Sequence, residues 1–184
     1  MIKSIDDICL SILPRWGFGA KYGGKLFNCF QCGPNAESDG VIGVLESYRL
    51  TFKTGLVMSG PTDITEVIST ASDFAQSSKM EGKVIGKHVF TILLILTDGN
   101  VADAEVTRER LQRVNDAPIS IIIVGIGNAD FSAMKSLNSN RNEYHVPCHF
   151  VEFNSCKEDL AMLTRLALED IPSHLSSHFS RDTD

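Results

Sequence analysis

Two apolar runs, each closed by loop-forming polar residues, constrain this chain more than any other feature. The first is Phe90-Thr-Ile-Leu-Leu-Ile-Leu-Thr-Asp98-Gly99, and the second is Ile119-Ser-Ile-Ile-Ile-Val-Gly125-Ile-Gly127-Asn128-Ala-Asp130. Both are nearly continuous in Leu and β-branched residues, the pattern of a strand buried on both faces of a parallel sheet. Asp103 to Asp116 lies between them and is long enough for one crossover helix, so the segment predicts a βαβ unit. In open α/β sheets, ligands bind outside the carboxyl ends of the strands. Asp98 stands at such an end, which makes that edge the place to look for function.

A length of 184 residues suits one domain with a full core. The formal net charge of -6 and the absence of a Lys/Arg cluster argue against nucleic acid as a partner. Asp6 and Asp7 interrupt the would-be apolar region of a signal peptide. No apolar run nears the roughly 20 residues of a membrane helix. The expectation is a soluble, cytoplasmic protein. Five cysteines, an odd number, fit a reducing compartment. Cys29-Phe-Gln-Cys32 is a lone CxxC, and Gly33-Pro34 after it break structure rather than open the helix a redox motif wants. No second cysteine pair stands at zinc-site spacing, and His145 and His149 are remote in sequence, so these cysteines read as loop residues.

Elsewhere the pattern predicts a helix over Ser4 to Leu13 ended by Pro14, a short strand over Arg15 to Ala20, and an edge strand over Leu26 to Phe30. Val41, Val44, Leu45, Tyr48 and Phe52 recur at helical spacing and predict a helix over Asp39 to Phe52 with that face inward. Thr62 or Asp63 can cap a further helix whose core face is Ile64, Val67, Ile68, Ala71, Phe74 and Ala75, before a loop over Gly82 to His88. Asp130 can cap a short helix carrying Phe131, Met134 and Leu137. A strand is expected over His149 to Phe153. A last amphipathic helix should cover Glu158 to Ile171, with Leu160, Leu163, Leu166, Ala167 and Ile171 inward, closed by Pro172 before a frayed tail over 173–184.

The string Leu93-Leu-Ile-Leu-Thr-Asp98-Gly99, followed by Ser120-Ile-Ile-Ile-Val-Gly125-Ile-Gly127-Asn128-Ala129-Asp130-Phe131, closely resembles the copine family. Gly17-Phe-Gly-Ala20, Gly60-Pro-Thr62, Thr107-Arg108-Glu109 and Pro118 fit the same pattern, and the similarity runs from about Ile5 to Pro172. It implies one domain over 1–172 of the von Willebrand factor A type. Such a domain is an α/β, Rossmann-like fold, with a mostly parallel sheet and helices on both faces. It also implies a metal-ion-dependent adhesion site at the carboxyl edge of the sheet, where Mg²⁺ or Mn²⁺ is held by hard oxygens with a position open to a partner's carboxylate. Carried over by position, Thr62 matches the loop threonine of that site and Asp98 the later aspartate. The first ligand motif of the family, Asp-x-Ser/Thr-x-Ser, occurs nowhere in this sequence. Asp63-Ile-Thr65-Glu-Val67 and Asp130-Phe-Ser132-Ala-Met134 are the nearest strings, and both fail at the last position. The resemblance places Met1 inside the family's first helix, so one central strand is expected to be missing.

These readings lead to a non-enzymatic protein-interaction module. Partners are expected at the carboxyl sheet edge, through Gly99, Asn128 and Asp130 beside a degenerate site of Thr62 and Asp98 that binds Mg²⁺ or Mn²⁺ weakly. Direct membrane binding is not expected without the lipid-binding domains of full-length copines. Two other readings compete. One is a piece of a copine-domain ubiquitin ligase, although no RING-type Cys/His array is present. The other is a nucleotide-dependent α/β enzyme, although Gly125-Ile-Gly127 lacks the third glycine of a dinucleotide fingerprint. No Gly-x-Ser-x-Gly or comparable nucleophile context occurs. A sheet short of a central strand should aggregate or be partly molten, and Leu94 and Ile122 should act only in the core.

Overall fold

A computed structural model describes residues 13–38, 40–60, 63–99, 101–138 and 146–181. The helix expected over Ser4 to Leu13 falls outside them except for Leu13. The chain forms two compact units, Met1–Val67 and Ile68–Asp184.

The first unit is built from short antiparallel pairs. Strand β1 (Leu13–Pro14) pairs with β6 (Glu37–Ser38), and β2 (Trp16–Gly17) with β5 (Phe30–Gln31). Strand β3 (Ala20–Tyr22) pairs with both β4 (Lys25–Phe27) and β7 (Val57–Met58). Gly23 and Gly24, at φ 56° and 80°, join Tyr22 to Lys25. Two consecutive positive φ values in a two-residue loop are the requirement of a type I′ hairpin, which glycine meets without strain. The two strands expected from sequence, over Arg15 to Ala20 and over Leu26 to Phe30, are thus split into four shorter ones.

Helix α1 (Gly40–Thr51) forms where expected but turns the other way. Its buried residues are Ser47 and Thr51, while Val41, Leu45, Tyr48 and Phe52 are exposed. The cause is a close approach by Gly33, where an added Cβ would sit 2.8 Å from the Ser47 Cβ. The Gly33 N–H donates to Thr51 Oγ1 at 3.0 Å, and that hydroxyl donates to the Ser47 carbonyl at 2.9 Å. Small residues fit such a close approach and the Thr51 hydroxyl meets the Gly33 amide, so Ser47 and Thr51 take the buried side despite the apolar periodicity.

Helix α2 (Thr65–Val84) begins at Asp63, whose Oδ1 accepts the Thr65 N–H at 2.8 Å and its hydroxyl at 2.7 Å. The expected core face is buried at Ile64, Val67, Ile68, Ala71 and Ala75. The helix continues through Gly82, where a loop was expected. A Cβ there would meet Val89 Cγ2 at 2.5 Å, and the Lys87 N–H donates to the Gly82 carbonyl at 2.8 Å. Gly82 therefore serves the returning chain, and Gly86, at φ 68°, makes the turn.

The second unit holds a three-stranded parallel sheet of order β10-β9-β8, flanked by helices. Its strands are β8 (Thr91–Thr97), β9 (Ile119–Gly125) and β10 (Cys148–Glu152). Between β8 and β9 runs α3 (Ala104–Arg113), capped by Asp103, whose carboxylate accepts the Glu105 and Val106 N–H groups. This is the βαβ unit the sequence predicts. All seven residues of β9 are buried. Each aliphatic side chain removed from water there contributes about 1.5–3 kcal/mol, so β9 is the core of the unit. Helix α4 (Ser132–Asn138) packs on β10, with Phe131, Met134 and Leu137 buried as predicted.

Near the carboxyl terminus, α5 (Leu160–Leu168) is capped by Asp159 and packs on β9 and β10. Leu160, expected inward, is 62% exposed because it stands at the solvent end of the first turn. The chain breaks at Glu169-Asp170 and resumes as α6 (Ile171–Arg181), which packs on β9. Pro172 therefore does not end structure. It occupies the first turn of a helix, where its missing N–H costs nothing, and the expected frayed tail is helical to Arg181.

Strand β8 alternates: Leu93, Ile95 and Thr97 are buried, while Ile92, Leu94 and Leu96 are 45%, 56% and 55% exposed. Leu94 is thus not the core residue expected. Among the described residues β8 pairs only with β9, so it forms one edge of the sheet and carries three exposed aliphatics. Long apolar edges template aggregation. The isolated chain should scatter light increasingly at protein concentrations of about 10–100 μM, and Leu94→Lys should suppress this without lowering the melting temperature. A sharp, concentration-independent melt above about 60 °C would contradict it.

Candidate functional site at the carboxyl edge of the sheet

The parallel register aligns the ends of the three strands. Thr97 pairs with Gly125, and Gly125 with Glu152. The residues that follow, Asp98-Gly99, Ile126 to Asp130 and Phe153 to Ser155, therefore leave the sheet at one edge. The Ile126 N–H extends the ladder by donating to the Thr97 carbonyl at 2.8 Å. Thr97 Oγ1 donates to the Gly99 carbonyl at 3.0 Å and accepts its N–H at 3.3 Å, which folds the Asp98-Gly99 turn back on the strand. Asp98 is exposed at the tip of that turn.

The loop after β9 is shaped by two glycines. A Cβ on Gly125 would lie 2.9 Å from Phe150 Cζ and 3.0 Å from Phe131 Cε1. Gly127 has φ 98°, a conformation L side chains rarely adopt. Beyond it, Asn154 Nδ2 donates to the Gly127 carbonyl at 2.6 Å and to Asn128 Oδ1 at 2.8 Å. Asn128 is thereby held by a residue from the β10 side of the edge. Asp130 Oδ1 accepts the Ser132 N–H at 2.9 Å, and that bond holds its carboxyl below the usual carboxylate range. A depressed carboxyl stabilises the fold above its unfolded pKa, and the contribution is lost as pH falls through the folded value.

Asp98, Gly99, Asn128 and Asp130 are thus all placed at this edge, in the second unit. Thr62 lies outside the described residues. The expected metal site needs several hard oxygens, since Mg²⁺ and Mn²⁺ favour octahedral oxygen coordination. Asp98 supplies one carboxylate, and the Asp130 carboxylate is engaged by a backbone amide. The described donors at this edge do not make up that site.

Several residues here were not singled out from sequence. Asn154 is one. Asn138 is another: its Nδ2 donates to the Phe150 carbonyl at 2.9 Å, and its Oδ1 accepts the Phe150 N–H at 2.7 Å. A third feature lies on a face of the sheet. His149 Nδ1 is 2.8 Å from Asp170 Oδ2. Ligand atoms of His149, Glu169 and Asp170 all lie within 4.8 Å of one another, a grouping able to hold a metal ion. Ser120 Oγ is 2.7 Å from Nδ1 of His174 on α6, 54 positions along the chain. The histidines are scattered in sequence, and no spacing signals these pairs.

The remaining reactive groups are less suited to chemistry. Burial pushes the Cys32 thiol up, against the opposing influence of the Thr51 hydroxyl and Arg15, and pushes Cys148 up to about 12. Both changes disfavour the nucleophilic thiolate. No described helix is long and apolar enough to cross a membrane.

A model of the copine family matches residues 9–183. Copine-E of Dictyostelium discoideum is 36% identical over 170 residues, covering 86% of this chain and 28% of that protein. Copine-C of the same organism is 33% identical over 177 residues, covering 89% of this chain and 32% of that protein. Protein BONZAI 1 of Arabidopsis thaliana is 34% identical over 134 residues, covering 71% of this chain and 22% of that protein. The fold and edge geometry define an α/β domain with a von Willebrand A-like parallel sheet, and the chain belongs to the copine family. It spans under a third of the length of these relatives.

The glycine at the end of β9 gives a direct check on this geometry. Gly125→Ala should lower stability by about 1–3 kcal/mol, because the methyl must displace two aromatic rings. Gly99→Ala, which meets nothing within 4 Å, should leave the melting temperature within about 1–2 °C of the unsubstituted protein. Equal melts for both variants would mean that the rings do not pack on Gly125 in solution.

Proposed function

We propose that this chain is a non-enzymatic, cytoplasmic protein-interaction module of the copine type that captures partners at the carboxyl edge of its sheet. The observation that carries this reading is the shared register of Thr97, Gly125 and Glu152. It gathers Asp98, Gly99, Asn128 and Asp130 although they are spread over sequence. Asp98 is exposed, and an added Cβ at Gly99 would meet open space, so this turn offers a partner a carboxylate with room beside it. The Asn154–Asn128 bond pre-orders the second loop, which reduces the entropy lost on binding. In this reading Thr62 and Asp98 are remnants of a divalent-metal site.

Asp98→Ala or Asn128→Ala should reduce partner capture from lysate while far-UV circular dichroism stays unchanged. Capture that survives both substitutions but is lost on altering the opposite edge near Pro118 would overturn the assignment.

The metal component follows from ligand count. Thr62 is a neutral oxygen and Asp98 a single carboxylate, so Mg²⁺ and Mn²⁺ should bind at this edge only in the millimolar range. Calorimetry is the check: micromolar Mn²⁺ affinity that disappears in Asp98→Ala would show that a further carboxylate joins the site.

A further inference from the structure

We propose that His149, Glu169 and Asp170 form a Zn²⁺ site on a face of the sheet, independent of the carboxyl edge. His149 lies on β10, while Glu169 and Asp170 form the break between α5 and α6. Three candidate ligand atoms converge within 4.8 Å, and His149 Nδ1 and Asp170 Oδ2 are already 2.8 Å apart. A tetrahedral Zn²⁺ with bonds of about 2.0–2.1 Å holds neighbouring ligand atoms about 3.3 Å apart. The His149–Asp170 pair needs to open by only roughly half an ångström. Glu169 has an exposed side chain and closes the remaining distance by a change of rotamer.

The burial of the cluster is graded in the way an ion site requires. His149 is 7% exposed and forms the inner wall. The Asp170 side chain is 24% exposed, and Glu169 faces solvent, which gives the ion an entry path and leaves a fourth position for water. The junction backbone is pinned, because the Asp170 carbonyl accepts the His174 N–H at 3.1 Å and the Ser173 hydroxyl at 2.8 Å. Pre-ordered supports of this kind favour ligand binding over rearrangement. Ligation through His149 Nδ1 takes the neutral imidazole tautomer that carries its proton on Nε2.

The donor set selects the ion. One imidazole with two carboxylates suits Zn²⁺, whereas Mg²⁺ prefers oxygen alone and sits far lower in affinity at a nitrogen-containing site. The site is also distinct from Asp98. His149 pairs with Ile122, three residues before the end of β9, or about 10 Å from the carboxyl edge.

The test uses the full 184-residue chain, stripped of metal and titrated with Co²⁺ as a spectroscopic stand-in for Zn²⁺, then with Zn²⁺ by calorimetry. We expect one equivalent of Co²⁺ to give the visible bands of a four-coordinate nitrogen and oxygen site, without the thiolate charge-transfer band that cysteine ligation produces. We expect a micromolar or tighter Zn²⁺ affinity and a raised melting temperature. Glu169→Gln, at an exposed position, should weaken binding by about tenfold or more, and Asp170→Asn should do the same. Asp98→Ala should leave Zn²⁺ affinity unchanged, which separates this site from the sheet edge. Affinity no tighter than millimolar, a thiolate band in place of the expected spectrum, or full affinity retained in folded Glu169→Gln and Asp170→Asn would overturn the proposal.

Discussion

The parallel ladder that joins β8, β9 and β10 is the constraint from which the rest of the second unit follows. A parallel strand fixes direction as well as position, so each strand must be followed by a crossing segment that returns to the same starting edge. That requirement sets α3 between β8 and β9 and α4 between β9 and β10. It also fixes which loops emerge together. The full burial of β9 makes its register costly to shift, because a slip by one residue would exchange its two faces. The carboxyl edge inherits its geometry from that single strand, with Gly125 at the point where the chain leaves the sheet.

Sequence reading succeeds here where the deciding contact is local. The crossover helix within Asp103 to Asp116, the Asp130 turn before α4 and the continuous apolar run of β9 are each decided by residues within a few positions. It fails where a distant segment decides. The apolar stripe of α1 predicts one buried face, but the approach of Gly33 buries Ser47 and Thr51 instead. The run in β8 looks identical to that in β9, yet only one of its faces is covered. Periodicity cannot distinguish the two, because the difference lies in the neighbours.

The candidate site shows the same division. Asp98, Gly99, Asn128 and Asp130 stand at the ends of recognisable strands, and the edge that unites them could be read from the βαβ pattern. Asn154 could not, since its bonds to Gly127 and Asn128 span 27 and 26 positions. The His149–Asp170 pair, 21 positions apart, depends on a break between α5 and α6 that an unbroken amphipathic pattern conceals. Such a break is visible in sequence only as Glu169-Asp170-Ile-Pro172, a weak signal beside the strong periodicity of Leu160 to Leu168.

Asn138 has a consequence for how this sheet can grow. Its amide group occupies both backbone groups that Phe150 turns away from β9, and so acts as a one-residue substitute for a neighbouring strand. The β10 side of the sheet is closed at that point by a side chain. Among the described residues no equivalent plug stands against β8. Among the described residues of this unit, an added strand therefore meets less obstruction beside Ile92, Leu94 and Leu96 than beside Phe150.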